Sequence, residues 1–289
     1  MTCLATRDVQ VRQDLEKLKE CTHLGCAQKH SRGLPLATKD AAAALPGKLQ
    51  SDVNEAVLMH GTSPDVLLSV RAVPGGAERA HANSRAMALR LCMRVDQSHA
   101  GAGTHACAHA HAQLLSRGFN ERYSGTNAGA AYGEGIYLAE DAGKNDRYTE
   151  VDVDYKALDP SRPTDLAELH ERLYMNNRKS RMFHPGEVYY LLVCRVALGH
   201  HVRTQGWNRD MDRGGSVFPP STIRELAQVP HVTPPVHYHS LLVHVAPYRE
   251  VVVFHSDRIY PEYVLAYQRV DRARAHRELV EACSGSSGV

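Results

Sequence analysis

The chain lacks any apolar run approaching the length of a membrane span,. Its first residues, MTCLATRDVQVRQD, lack the apolar core of a signal peptide,. Strong charge of one sign is also missing. The formal net charge is +2, which gives no dedicated nucleic-acid surface. The basic runs at 178–181 and 269–277 read as solvated helix faces. No repeats are visible. The seven cysteines are odd in number and irregularly spaced, so they form no disulfide framework and fit the reduced thiols of a cytosol or nucleus. Cys21, His23, Cys26 and His30 offer four zinc ligands, but too tightly spaced for a finger built around a helix; no metal is expected. What is present suffices for a globule. At 289 residues, 43% hydrophobic and 23% charged, the chain can bury the core of one large domain or two small ones.

The stretch 133–148, GEGIYLAEDAGKNDRY, organises the rest. A Gly-x-Gly turn opens it, and Ile136–Ala139 reads as a short buried strand,. Asp141 then caps a helical turn ending near Tyr148. Two tyrosines, Tyr137 and Tyr148, leave this compact unit from its two ends. Facing each other, they form a slot for a flat heterocycle; the alternative is two ordinary core tyrosines. A dinucleotide-binding fingerprint does not fit, because it needs a strand before its glycines, a helix after them and a third glycine at the sixth position. Here a strand follows Gly135, and Leu138 stands where that glycine belongs.

Along the chain, Val11, Leu15 and Leu18 are spaced for one face of an N-terminal helix within a segment 1–50. EAVLMHGT, from Glu55, is an apolar strand that delivers His60, Gly61 and Thr62 at its end. Ser63 and Pro64 start a helix that breaks off at Val70. Its apolar pattern resumes in LLSRGF, so 71–113 reads as an insertion. That insertion is Ala-, Gly- and His-rich, either a biased loop or a retained intron. Its five histidines, from His81 to His111, are metal ligands in principle, though a loop without selected chemistry is the plainer reading. An amphipathic helix is expected over 166–175. EVYYLLVCRVAL, at 187–198, is the strongest strand signal and reads as central and buried on both faces. Residues 201–235 read as a long loop. Strands follow at 241–245, 248–254 and 264–270, and 272–289 reads as a disordered tail. Many strands and few helices argue for an α+β domain over 51–271 with antiparallel sheets. His60, Tyr137, Tyr148 and Glu250 stand out as polar residues at strand ends.

These segments resemble the poly(ADP-ribose) polymerase catalytic domain. HGT at 60–62, GEGIYLAEDAGKNDRY at 133–148 and PYREVVVF at 247–254 are similar to its three signature segments, in the same order. IYPEYVLAYQ at 259–268 resembles its closing strand, most like the tankyrase branch. The resemblance spans 54–270 apart from the insertion. It implies the ADP-ribosyltransferase fold: two twisted, mainly antiparallel sheets around an NAD cleft. It also implies a catalytic triad of His60, Tyr137 and Glu250. By the same resemblance, His60, Gly61, Thr62, Tyr137, Asn145 and Tyr148 bind NAD. In that picture His60 bonds the adenosine ribose, the Gly61 backbone bonds the nicotinamide carboxamide, and the two tyrosines stack on the nicotinamide ring. The loop 120–135 corresponds to the donor-site loop, and 201–235 to the acceptor side.

The residue types suit that chemistry. Cleavage at the ribose of NAD builds an oxocarbenium-like centre. A carboxylate beside it stabilises the charge and takes the proton of an incoming hydroxyl. Glu250 is the candidate, whereas Glu134, Glu140 and Asp141 lie where solvated or capping roles are expected. Asn145 and Gly143 replace two serines common in the family. Neither a helical regulatory domain nor a DNA-binding module is recognisable. The expected function is NAD-dependent protein ADP-ribosylation, with NAD as substrate and proteins, this chain included, as acceptors. Polymer formation, single-unit transfer and an inactive binding module of the same fold remain open. An intracellular setting, nuclear or cytoplasmic, is expected.

Overall fold

Val188–Ala197 is buried on both faces, as its composition, mostly Tyr, Leu and Val, suggests,. Tyr190, Leu192, Cys194 and Val196 enter the main core, and Leu191 joins a smaller cluster with Leu265 and Tyr267. The computed structural model describes residues 2–20, 36–38, 45, 47–64, 67, 91–94, 119, 130–152, 170, 186–245 and 247–269. In chain order the elements are α1 (Thr2–Glu20), β1 (Glu55–Thr62), β2 (Leu91–Arg94), β3 (Ile136–Ala139), α2 (Ala142–Asp146), β4 (Val188–Ala197), β5 (His201–Thr204), β6 (Ser240–Val245), β7 (Tyr248–Val253) and β8 (Ile259–Gln268).

The resemblance implies two sheets. The structure instead has one series of eight strands, ordered β2-β8-β4-β1-β3-β7-β6-β5. Its halves meet at one residue pair, Met59 with Ala139, between β1 and β3. β4 and β1 by contrast pair along the whole of β1. The sheet is therefore continuous but narrow at its middle, and past Met59 β1 has no strand partner on the β3 side among the described residues. One transverse row runs Tyr263, Val193, Met59, Ala139, Glu250, Val243, Thr204. It places Glu250 two strands from β1, level with the residue before His60.

Alternation along β3 and β7 sends Ile136, Leu138, Val251 and Val253 into the main core,. Tyr137, Val252 and Phe254 face the second cluster. β5, in a stretch expected to be loop, pairs in parallel with β6. A parallel pair needs a long crossover, and residues 205–239 supply it. That crossover brings its own apolar anchors, among them Val217, Phe218, Leu226 and Val236, into the second cluster. The N-terminal helix uses the face its spacing predicts. Val11 packs with Val53 and Ala197, Leu18 enters the second cluster, and Leu15 lies partly buried between.

Within the expected insertion 71–113, Leu91–Arg94 forms β2 on the outer edge of β8. The rest of the insertion, with its histidines, lies outside the described residues. So do the Cys21, His23, Cys26 and His30 group, most of the helices expected at 64–70 and 166–175, and the tail 272–289. Among the described residues no helix is long and apolar enough to cross a membrane.

Candidate functional site

The site forms where the sheet is narrowest. Beyond the single Met59–Ala139 pair, the next link from β1 to β3 is a side chain: His60 Nδ1 lies 2.8 Å from the Tyr137 carbonyl. A carbonyl only accepts, so Nδ1 carries the proton and Nε2 keeps the lone pair. Burial pushes the His60 pKa below its ordinary value, and the bond to Tyr137 only partly opposes this. The ring is therefore neutral at pH 7. Phe119 stands edge-on to it, with centroids 5.0 Å apart.

Gly61, next along β1, has no room for a side chain, since an added Cβ would sit 2.2 Å from the Asn145 carbonyl. The close approach seats α2 on β1. Thr62 is buried beside it. α2 has five residues, too few to be stable alone, and its neighbours hold it. Asp141 accepts from Lys144 N at 2.8 Å, the expected N-cap,. Asn145 is buried and spends both amide protons on backbone carbonyls, of Asp141 at 2.8 Å and Ala139 at 3.2 Å. It therefore offers a ligand only its Oδ1, not a donor.

The Tyr137 hydroxyl is tied into the Gly133 turn. It accepts from Tyr132 N at 2.7 Å and donates to the Gly133 carbonyl at 2.9 Å. Burial is the main cause that pushes its pKa up to about 12, with the Glu250 charge adding to it. Tyr137 pairs with Val252 and Ala139 with Glu250, so Tyr137 and Glu250 are diagonal neighbours on one face. Tyr148 is 54% exposed. It makes no ring contact with Tyr137; the Lys144 ammonium lies over its face instead, 4.5 Å from the centroid.

Lys144 is the residue that sequence reasoning missed. Its Nζ is 2.9 Å from Glu250 Oε1 and 2.7 Å from the Tyr148 hydroxyl. Burial works against its charge, but the bond to Tyr148 and the Glu250 carboxylate outweigh it and raise its pKa. The signal available was its place one turn before Tyr148, at the i,i+4 spacing of helical neighbours. The three rival carboxylates are engaged elsewhere. Glu134 pairs with Arg224 at 2.5 Å. Glu140 accepts from Arg249 Nε and Ala37 N, each at 2.5 Å. Asp141 is the cap.

His60, Tyr137 and the Glu250–Lys144 pair, with Tyr148 against Lys144, lie around the narrow middle of the sheet. Residues 103–269 match the poly(ADP-ribose) polymerase catalytic domain, and the chain belongs to that family. The match covers β3, α2 and β4 to β8. It begins after His60–Thr62, which the sheet itself brings to the site through β1. It is a match to the family as a whole and does not support the tankyrase branch. No curated protein matches the chain.

Proposed function

We propose that the protein is an NAD-dependent ADP-ribosyltransferase that moves ADP-ribose from NAD to protein acceptors and releases nicotinamide. The observation that carries this reading is Glu250. It is the carboxylate of the site that is neither a cap nor part of an arginine pair, and it lies beside Lys144, Tyr137 and Tyr148 in the row that crosses β1 next to His60.

In this reading His60 Nε2 accepts a hydrogen bond from the adenosine ribose, for which the neutral ring with its proton on Nδ1 is suited. The backbone of Gly61 meets the carboxamide on the side of β1 that has no strand partner. Asn145 Oδ1 accepts from the carboxamide nitrogen, and Thr62 closes that end. Tyr137 and Tyr148 bracket the nicotinamide, whose positive ring suits an aromatic face. The bond from ribose C1′ to the nicotinamide nitrogen breaks, and its electron pair leaves with nicotinamide. The Glu250 carboxylate stabilises the positive sugar carbon, accepts the proton of the attacking acceptor hydroxyl and passes it to solvent. The new bond joins the acceptor oxygen to C1′.

Glu250 at this position favours polymer as the product. Single-unit transfer is the rival. The test is nicotinamide release from NAD by the full chain, followed by product length on a denaturing gel. Release with a ladder supports the reading. Release with one band makes it a mono-transferase. NAD binding without release makes it a binding module.

A further inference from the structure

A second polar cluster lies at the far end of α2, away from Glu250, and no role above uses it. Asp146, the last residue of α2, accepts through Oδ1 from the Tyr267 hydroxyl and from Arg269 Nε at 2.9 Å. Arg269 also donates from one terminal nitrogen to the Asp146 carbonyl at 2.8 Å and to Thr149 Oγ1 at 3.3 Å. Thr149 Oγ1 donates to the same carbonyl at 2.8 Å and lies 3.2 Å from the Tyr267 hydroxyl. The Arg269 guanidinium rests over the Tyr189 ring, 4.0 Å from its centroid. Tyr189 and Tyr267 are themselves in contact at 5.7 Å.

Asp146 and Thr149 bracket Tyr148 in sequence, and both are bound to β8 or to the residue that follows it. Tyr148 itself is 54% exposed, and its hydroxyl meets the Lys144 ammonium, which is also paired with Glu250. Its backbone, bonded to the Asn145 carbonyl at 3.0 Å, is held between two clasped neighbours. A five-residue helix cannot supply that rigidity,. Lys144, in the middle of α2, is held at its backbone by the Asp141 cap.

We infer that Asp146 is a positioning residue: clasped by Tyr267 and Arg269, it sets the Tyr148 wall of the nicotinamide slot and so controls NAD binding rather than the chemical step. This rests on the transferase reading above. Asp146 does not reach the reacting atoms and acts through Tyr148.

The test measures NAD KM, kcat and thermal midpoint for the full chain and for Asp146→Ala and Asp146→Asn, with NAD Kd by calorimetry on the same proteins. Asp146→Ala loses both bonds to Oδ1 and is expected to raise KM and Kd about tenfold with kcat within about threefold, the pattern of lost uniform binding. Asp146→Asn keeps an oxygen for Tyr267 and Arg269 and is expected to restore most of the affinity. A lower thermal midpoint with wild-type KM and Kd would show a merely structural clasp and overturn the inference. If Asp146→Ala does not fold, Tyr267→Phe removes one hydroxyl and carries the test: weaker NAD binding supports the clasp, and unchanged binding overturns it. Wild-type protein that turns over NAD beside an unaffected Asp146→Ala defeats this inference alone. Wild-type protein that neither binds nor cleaves NAD defeats the transferase reading and this inference with it.

Discussion

Lys144 Nζ stands 2.9 Å from Glu250 Oε1, so the site's central carboxylate is held by a cation from α2 and not by a neighbour on its own strand. Both side chains are mostly buried, at 14% and 16% exposure, where removing one partner leaves the other charge uncompensated. The pair holds one oxygen of Glu250.

Replacing Lys144 is therefore expected to loosen Glu250 without emptying the slot. Lys144→Met keeps the apolar stem and removes the ammonium. Single-turnover nicotinamide release is expected to fall about tenfold, while NAD affinity changes less than about threefold, as for a contact that matters mainly in the transition state. In a double-mutant cycle with Glu250→Gln the two losses are expected to be strongly non-additive. Additive losses would separate Lys144 from Glu250.

Gly61 offers a steric test. A Cβ there would stand 2.2 Å from the Asn145 carbonyl, so Gly61→Ala must push α2 away from β1. Overpacking of this kind costs on the order of 1–3 kcal/mol, and the displaced turn carries Lys144 and Tyr148. Lower stability in urea together with loss of NAD binding is expected. Full binding in a stable Gly61→Ala protein would contradict the seating of α2 on β1.

Stability is expected to fall on the acid side of neutrality. His239 is 1% exposed and its Nδ1 accepts from His200 N at 2.9 Å. Burial, the largest cause, lowers its pKa; the facing Asp14 carboxylate opposes this, and the charges of Arg258 and His255 add to it. A histidine with a depressed folded pKa contributes stability that is present above its unfolded value near 6.5 and lost as pH falls through the folded value. Each such group contributes up to about 1.4 kcal/mol per pH unit in that window. Asp14 is also depressed, against a burial effect that raises it, by its bonds to His239 and Lys17. Its own loss belongs below the ordinary carboxylate range. Urea midpoints measured from pH 7 to pH 5 should decline, and His239→Gln should flatten the decline. An identical slope in that variant would remove His239 from the account.

Much of this architecture was legible in local pattern. Ile136–Ala139 appears as the strand its apolar run predicts, Asp141 caps the turn after it, and Val188–Ala197 is the doubly buried strand its composition requires. β5 was hidden because HVRT alternates with a cation and its partner strand arrives only after the crossover 205–239. The join between the sheet halves was hidden for a similar reason, since it rests on one pair, Met59 with Ala139, that no local signal marks. At the site, residue types pointed to His60, Tyr137 and Glu250, but contacts across the sheet were out of reach. The partners of Lys144 and Asp146 come from far along the chain, Glu250 from β7 and Arg269 from just after β8. Asn145 shows the converse. Its type suits a ligand contact, yet the backbone of its own turn takes both its donors.

The most direct measurement is single-turnover nicotinamide release and NAD affinity for Glu250→Gln. The variant keeps shape and hydrogen bonding and removes the charge that, in the proposed reaction, stabilises the sugar carbon. Losing one preorganised electrostatic contact costs on the order of a hundredfold in rate. In the proposed reading Tyr137, Tyr148 and the Gly61 backbone still hold the nicotinamide, so affinity should stay within about tenfold. A rate at least a hundredfold lower with affinity nearly kept is the expected result; turnover close to that of the unaltered protein, with binding intact, would contradict the account at its centre.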